Sequence, residues 1–193
     1  MIIGITGTFG SGKTTIAEMF KGYGYKIINA DKIAHSLLNK KEIKNAIIKE
    51  FGTSILTKGK INRRKLKDIV FNNHKELVRL NKIIHPAIIK KIKSIIKKTK
   101  NKKIIIDGAL MIEANCLDLV DKLLVVKIKK EEQLRRILKK RKYTKKEIRN
   151  IIKSQLNQKQ KLKYADYIID NSNKIKDTKK QVEEIIKRIE QKN

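Results

Sequence analysis

Tryptophan is absent, and cysteine and proline occur once each, as Cys116 and Pro86. A single cysteine allows no internal disulfide, which excludes the disulfide-stapled classes. One proline and nine glycines exclude collagen-like and proline-rich chains. Acidic residues are scarce as well: 19 Asp and Glu face 49 Lys and Arg, a formal net charge of +30. No apolar run approaches the roughly 18–20 residues that span a bilayer. The start, MIIGITG, has neither the basic stretch nor the long apolar segment of a secretory signal, and it runs straight into a glycine loop. The expectation is a cytoplasmic protein that enters no membrane. What is present suits a packed core: 193 residues, 40% hydrophobic and 35% charged, the length of one domain with room for a small insertion.

A charge of +30 invites a nucleic-acid reading. The basic residues, however, are 41 Lys and only 8 Arg, and the Lys are spread along the whole chain. Groove-reading proteins concentrate Arg, whose planar fork grips phosphate or guanine with two bonds. Lys, Asn and Ile are also the residues an AT-rich gene favours at exchangeable positions. The charge therefore points to no specific nucleic acid, although it would drive non-specific polyanion binding.

Short apolar runs alternate with helical patterns. IIGIT near the start, Tyr25–Ala30, Lys103–Asp107, Lys122–Ile128 and Tyr167–Asp170 read as strands. Helices are expected over Thr14–Lys21, Glu131–Lys140, Lys145–Lys163 and Thr178–Lys192. The strands are continuously apolar rather than half polar, the signature of a parallel sheet covered on both faces. Between about 32 and 100 the pattern is all helical, with apolar spacing such as Ile84, Ile88, Ile92 and Ile95. The architecture expected is one α/β domain with a five-stranded parallel sheet and a helical insertion.

Four of the nine glycines fall within the first twelve residues. Gly7-Thr8-Phe9-Gly10-Ser11-Gly12-Lys13-Thr14 fits G-x-x-x-x-G-K-[ST] at every fixed position, between a predicted strand and a predicted helix. Glycines let successive N–H groups converge on phosphate oxygens, and the helix that follows points its positive end at them. Lys13 would bridge the β- and γ-phosphates, and the Thr14 hydroxyl would help to hold Mg²⁺. Such a loop binds a nucleoside triphosphate without naming the acceptor. A short chain of this class suggests a small-molecule kinase, which needs a carboxylate near the γ-phosphate. Asp31, closing YKIINAD, either fills that role or caps the helix that follows it.

The chain resembles the dephospho-CoA kinases. GITGTFGSGKTT, NADKIAHSLL, INRRKL, LNKIIHPAI, GALMIE, EEQLRRILKK, SQ and ADYIIDNS occur in that family's order, from Ile3 to about Val182. The resemblance implies a P-loop NTPase fold with a helical acceptor-binding insertion at about 32–100 and a lid at about 136–150. It implies ATP and 3′-dephospho-CoA as substrates, with Mg²⁺ and no membrane or specific nucleic-acid partner. By the same resemblance Asp31 activates the ribose 3′-hydroxyl and lies near the metal with Thr14. Gly10, Ser11, Gly12, Lys13, Thr14 and Thr15 cradle the ATP phosphates. Arg63 and His85 lie where the acceptor binds, although His85-Pro86 equally marks a helix start or kink. Glu113 either holds a hydroxyl or ammonium group or caps a helix, and Asp107 is a candidate for reaching the metal through water. Arg136, then Lys140 or Arg141, supply cations to the transferring phosphoryl group, and Asn171 lies where the adenine ring passes or in a plain turn.

The chain departs from the family pattern at four points. Asn29 replaces the first Asp of D-A-D, Thr8 a loop glycine, Ala109 a proline and Lys140 a lid arginine. The other readings of the same residues are a nucleoside or nucleotide kinase, separated by the insertion with Arg63 and His85, and a P-loop nucleic-acid binder.

Overall fold

The structure, a computed structural model, describes residues 1–100, 103–139 and 143–191. In chain order the elements are β1 (Ile2–Gly7), α1 (Lys13–Lys21), β2 (Lys26–Asn29), α2 (Ala30–Leu37), α3 (Lys41–Phe51), β3 (Leu56–Thr57), β4 (Lys60–Ile61), α4 (Arg63–Asn72), α5 (His74–Lys98), β5 (Ile104–Asp107), β6 (Lys122–Lys127), α6 (Lys130–Lys139), α7 (Lys145–Lys153), α8 (Gln158–Leu162), β7 (Tyr167–Asp170) and α9 (Ile175–Glu190). They form two compact units, Met1–Asn29 with Lys100–Asn193, and Ala30–Thr99.

The first unit holds the five-stranded sheet in the order β2-β5-β1-β6-β7, every pairing parallel. The inner strands β1, β5 and β6 read as nearly unbroken apolar runs because both of their faces are covered, while the edge strands β2 and β7 each keep an exposed position. On one face Ile3, Ile5, Ile105, Leu124 and Val126 pack against Ile16, Ala17 and Phe20 of α1 and Val182, Ile185, Ile186 and Ile189 of α9. Gly4 and Leu123 meet Met111 on the other face, where α8 also packs. The register sets Gly7 beside Val126 and Asn29 beside Asp107, so the carboxyl ends of β1, β2 and β5 share one edge. Open parallel sheets bind ligands at that edge.

The second unit has its own core of Leu38, Ile47, Ile55, Ile61, Leu66, Val70, Leu77 and Ile84. It is not all helical, since β3 and β4 form a two-stranded antiparallel hairpin turned by Lys58 (φ 48°) and Gly59 (φ 71°). Asn62 starts α4, its Oδ1 accepting from the Arg64 and Lys65 N–H groups. Pro86 falls within α5 rather than at a helix start, so the long apolar stripe overrides the cost of an interior proline.

Three further boundaries differ from the sequence reading. Strand β2 stops at Asn29, and Asp31 stands in the first turn of α2 rather than at the strand end. The helix expected over Lys145–Lys163 is two, because Thr144 and Asn157 each close a capping box, with Glu147 and Gln160. Helix α9 begins at Ile175, three residues early.

Candidate active site

The loop from Thr8 to Gly12 joins β1 to α1, and its backbone demands glycine at two points. Gly10 (φ 79°) and Gly12 (φ 92°) are left-handed. A Cβ on Gly10 would come within 2.5 Å of Ile137 Cγ1, and one on Gly12 would run into the Asn171 amide nitrogen. Lys13 folds back so that its Nζ donates to the Thr8 carbonyl at 3.2 Å. Ser11 Oγ is buried with no hydrogen-bond partner in the protein, an orphaned polar atom in a loop built for phosphate. Thr15, beside Thr14 in the first turn of α1, is exposed.

Three side-chain amides hold this loop. Asn171, buried just after β7, donates to the Ser11 carbonyl at 2.8 Å and accepts from Thr178 Oγ1 at 3.0 Å. Gln133 of α6 donates to Thr8 Oγ1 at 3.1 Å and to the Phe9 carbonyl at 2.6 Å. Gln155, between α7 and α8, accepts from the Phe9 N–H at 2.9 Å. The Phe9 ring meets Tyr143 edge-on, centroids 5.1 Å apart. Asn171 was expected at an adenine ring or in a plain turn; the structure makes it a strut of the phosphate loop.

Asp107, buried at the end of β5, accepts from Thr14 Oγ1 at 2.7 Å and from Asn29 Nδ2 at 2.8 Å, both on Oδ2. The Thr14 hydroxyl gives its proton to Asp107, leaving its oxygen lone pairs for a cation. A hydroxyl and one carboxylate, both hard oxygen donors, fit Mg²⁺, which takes its other ligands from water and phosphate. No cluster of three or more His, Cys, Asp or Glu side chains suited to a metal occurs among the described residues.

Arg136 of α6 lies with its Nη1 3.8 Å from the place of a Gly12 Cβ. Its Nε donates to Glu132 Oε1 at 2.6 Å, while Glu132 also takes two bonds from Arg135. Hydrogen bonds from Arg135 and then Arg136 hold the Glu132 carboxyl down at about 2, against burial that would raise it. Beside this pair opens a polar cleft of about 690 Å³, lined by Glu132, Arg135 and Arg136 and by Ser172, Asn173 and Lys174 after β7.

Glu113 closes on the protein itself. Its carboxylate takes the Lys161 ammonium at 2.7 and 3.0 Å and the Leu156 N–H at 2.9 Å; Lys161 also donates to the Ala109 carbonyl. The ammonium that Glu113 holds is thus a buried lysine of α8, pushed down in pKa by desolvation against the pull of Glu113. Asp31, Arg63 and His85 all belong to the helical unit: Asp31 and Arg63 are exposed in the first turns of α2 and α4, and His85 is half-buried in mid-α5. Lys140 and Arg141, within the segment expected as a lid, lie outside the described residues.

Gln133, Gln155, Glu132 and Lys161 were not foreseen. Gln133 carried a signal, since it shares a helix face with Arg136 and Ile137. Lys161 carried none in so lysine-rich a chain.

A parallel sheet with β1 at its centre, a glycine loop leading into α1, and a hydroxyl–carboxylate pair beside it define a P-loop kinase. The family model for dephospho-CoA kinase matches residues 1–177. A dephospho-CoA kinase from Fusobacterium nucleatum is 42% identical over 184 residues, 95% of each chain. Among solved structures, the dephospho-CoA kinase from Campylobacter jejuni is 32% identical with a TM-score of 0.69, covering 97% of this chain and 96% of its own. A Thermus thermophilus protein shares the fold at a TM-score of 0.82 and 22% identity, covering 97% of each chain. This chain belongs to the dephospho-CoA kinase family.

Proposed function

We propose that this chain transfers the γ-phosphoryl group of ATP to the ribose 3′-hydroxyl of 3′-dephospho-CoA, giving ADP and CoA, the last step of coenzyme A synthesis. The observation that carries the reading is a complete phosphate loop, with Thr14 tied to a buried Asp107, in a chain that matches this family along nearly its whole length.

In this reading Gly10–Thr15 cradle the phosphates, Lys13 bridges the β- and γ-groups, and the buried Ser11 hydroxyl finds its missing partner on the nucleotide. The polar cleft at Ser172–Lys174 takes the nucleoside end, since the amide of Asn171 is committed to the loop. Thr14, Asp107 through water, and Asp31 would hold Mg²⁺. Bound there, the ion supplies charge neutralisation on the phosphate oxygens. Asp31 accepts the proton of the attacking hydroxyl. Arg136 supplies a cation where charge spreads during transfer, and Lys140 or Arg141 a second. Arg63 and His85 bind the acceptor. Glu113 acts through Lys161, holding the segment after β5 to α8.

The test is ADP release with ATP and Mg²⁺, comparing 3′-dephospho-CoA with AMP, CMP and adenosine, and checking the product mass for one added phosphoryl group. Turnover with dephospho-CoA alone is expected. Turnover with a nucleotide instead would move the chain to nucleotide kinases, a reading the family match does not favour.

A further inference from the structure

Helix α6 offers the phosphate loop one continuous stripe. Gln133, Arg136 and Ile137, spaced i, i+3 and i+4, share a helix face. Gln133 reaches Thr8 Oγ1 and the Phe9 carbonyl, Ile137 lies against Gly10, and Arg136 lies beside Gly12. Gln133 is buried, and its carboxamide is the polar link from this stripe to the loop backbone. Gln155 fixes the opposite side of the same residue by accepting the Phe9 N–H, from a segment outside α6.

We propose that Gln133 is a positioning residue for phosphoryl transfer: by locking α6 to Phe9 it sets the reach of Arg136 to the loop at Gly12. The inference rests on the kinase reading for its turnover measurement but not for its binding measurement. Ile137 can tolerate a small rotation of α6, because dispersion contacts are non-directional. A hydrogen-bonded amide cannot, because its bonds weaken steeply when bent. A guanidinium one turn along the helix therefore inherits its placement from Gln133. Misplacing a catalytic group by about 1 Å costs on the order of 100-fold in rate. Gln155 acts on the loop alone, so its loss leaves Arg136 where it is.

The test is a double-mutant cycle with Gln133→Leu and Arg136→Ala, and Gln155→Leu as the comparison. It is read as kcat for transfer to dephospho-CoA and as calorimetric ATP affinity without acceptor. Gln133→Leu is expected to lower kcat roughly 10- to 100-fold in the native background and to add little once Arg136 is gone. The Gln155→Leu loss is expected to be the same in both backgrounds. ATP affinity should follow the same pattern. A Gln133 loss of equal size in both backgrounds would overturn the proposal and leave a merely structural amide. If Gln133→Leu fails to fold, Gln133→Glu keeps the shape while turning an acceptor towards the Phe9 carbonyl, and the same cycle judges it. A native protein inactive towards dephospho-CoA would overturn the acceptor assignment, and the affinity cycle would still decide the role of Gln133.

Discussion

The Thr14 hydroxyl donates to Asp107 at 2.7 Å, tying the first turn of the helix behind the phosphate loop to the end of the neighbouring strand. The bond orients the threonine oxygen before any nucleotide arrives. Asp107→Asn is expected to keep the fold while lowering kcat/KM for MgATP by roughly 10- to 100-fold, the usual effect of losing a partner that orients a metal ligand. A Mg²⁺ titration of both proteins checks it, with half-maximal activity moving to higher Mg²⁺ in the variant.

Asn29 shares the same carboxylate oxygen of Asp107, at 2.8 Å. Asn29→Asp would set a second carboxyl there, and two carboxylates at that distance cannot both ionise freely, so one pKa rises. A carboxyl raised in the folded state contributes most while protonated, and its contribution falls as pH climbs from the unfolded value of about 4 through the raised one. The variant should therefore lose stability relative to the native chain between pH 4 and neutrality. Thermal melts across that range measure it.

Glu132 holds Arg136 with a carboxyl kept at about 2. Its folded pKa is depressed, so its contribution is complete above the unfolded value and is lost only as pH falls towards 2. Any acid limb in kcat between pH 5 and 7 must come from another group. Glu132→Gln should lower kcat by roughly tenfold, as expected for a loosened cation, while leaving the shape of the pH–kcat profile unchanged.

Lys161 is buried, whereas Glu113 keeps part of its surface exposed. Removing the carboxylate strands a buried ammonium, at a cost of about 3–5 kcal/mol. Removing the ammonium costs less, because Glu113 retains the Leu156 N–H and some water. Glu113→Ala should therefore destabilise more than Lys161→Met in denaturant unfolding at pH 7. The Lys161 pKa is depressed, so stability returns as pH rises from the folded value towards 10.5, and the Glu113→Ala deficit should narrow in alkali.

Asp31→Asn should leave ATP affinity unchanged and lower kcat by about 10²- to 10⁴-fold, the range for a lost general base. An unchanged kcat would reduce Asp31 to the N-terminal acid of α2.

The inner strands of the sheet were legible because parallel strands buried on both faces read as plain apolar runs, and the glycine loop because its spacing is dictated by its backbone. The hairpin at Leu56–Ile61 was not, since strands of two residues are too short to show alternation. Pro86 suggested a boundary where packing carried the helix through. In the site, the loop that carries Lys13 and Thr14 was legible from its pattern and Asn171 was singled out for another place, while the bonds that the amides of Gln133, Gln155 and Asn171 make to the loop were hidden. Their work is to hold backbone atoms distant in sequence, and no local pattern records such a partner.

The interruption of the first unit by Ala30–Thr99 bears on how the chain folds. Strand β1 pairs with β5 and β6, both made after the whole helical unit, so during synthesis its backbone must wait unpaired. The helical unit has its own core from neighbouring segments and can settle first. Its early collapse draws the ends of that long intervening loop together and shortens the search that β1 faces. Substitutions in the Ile47–Ile55–Leu66 core should thus slow formation of the sheet as well as of the helical unit.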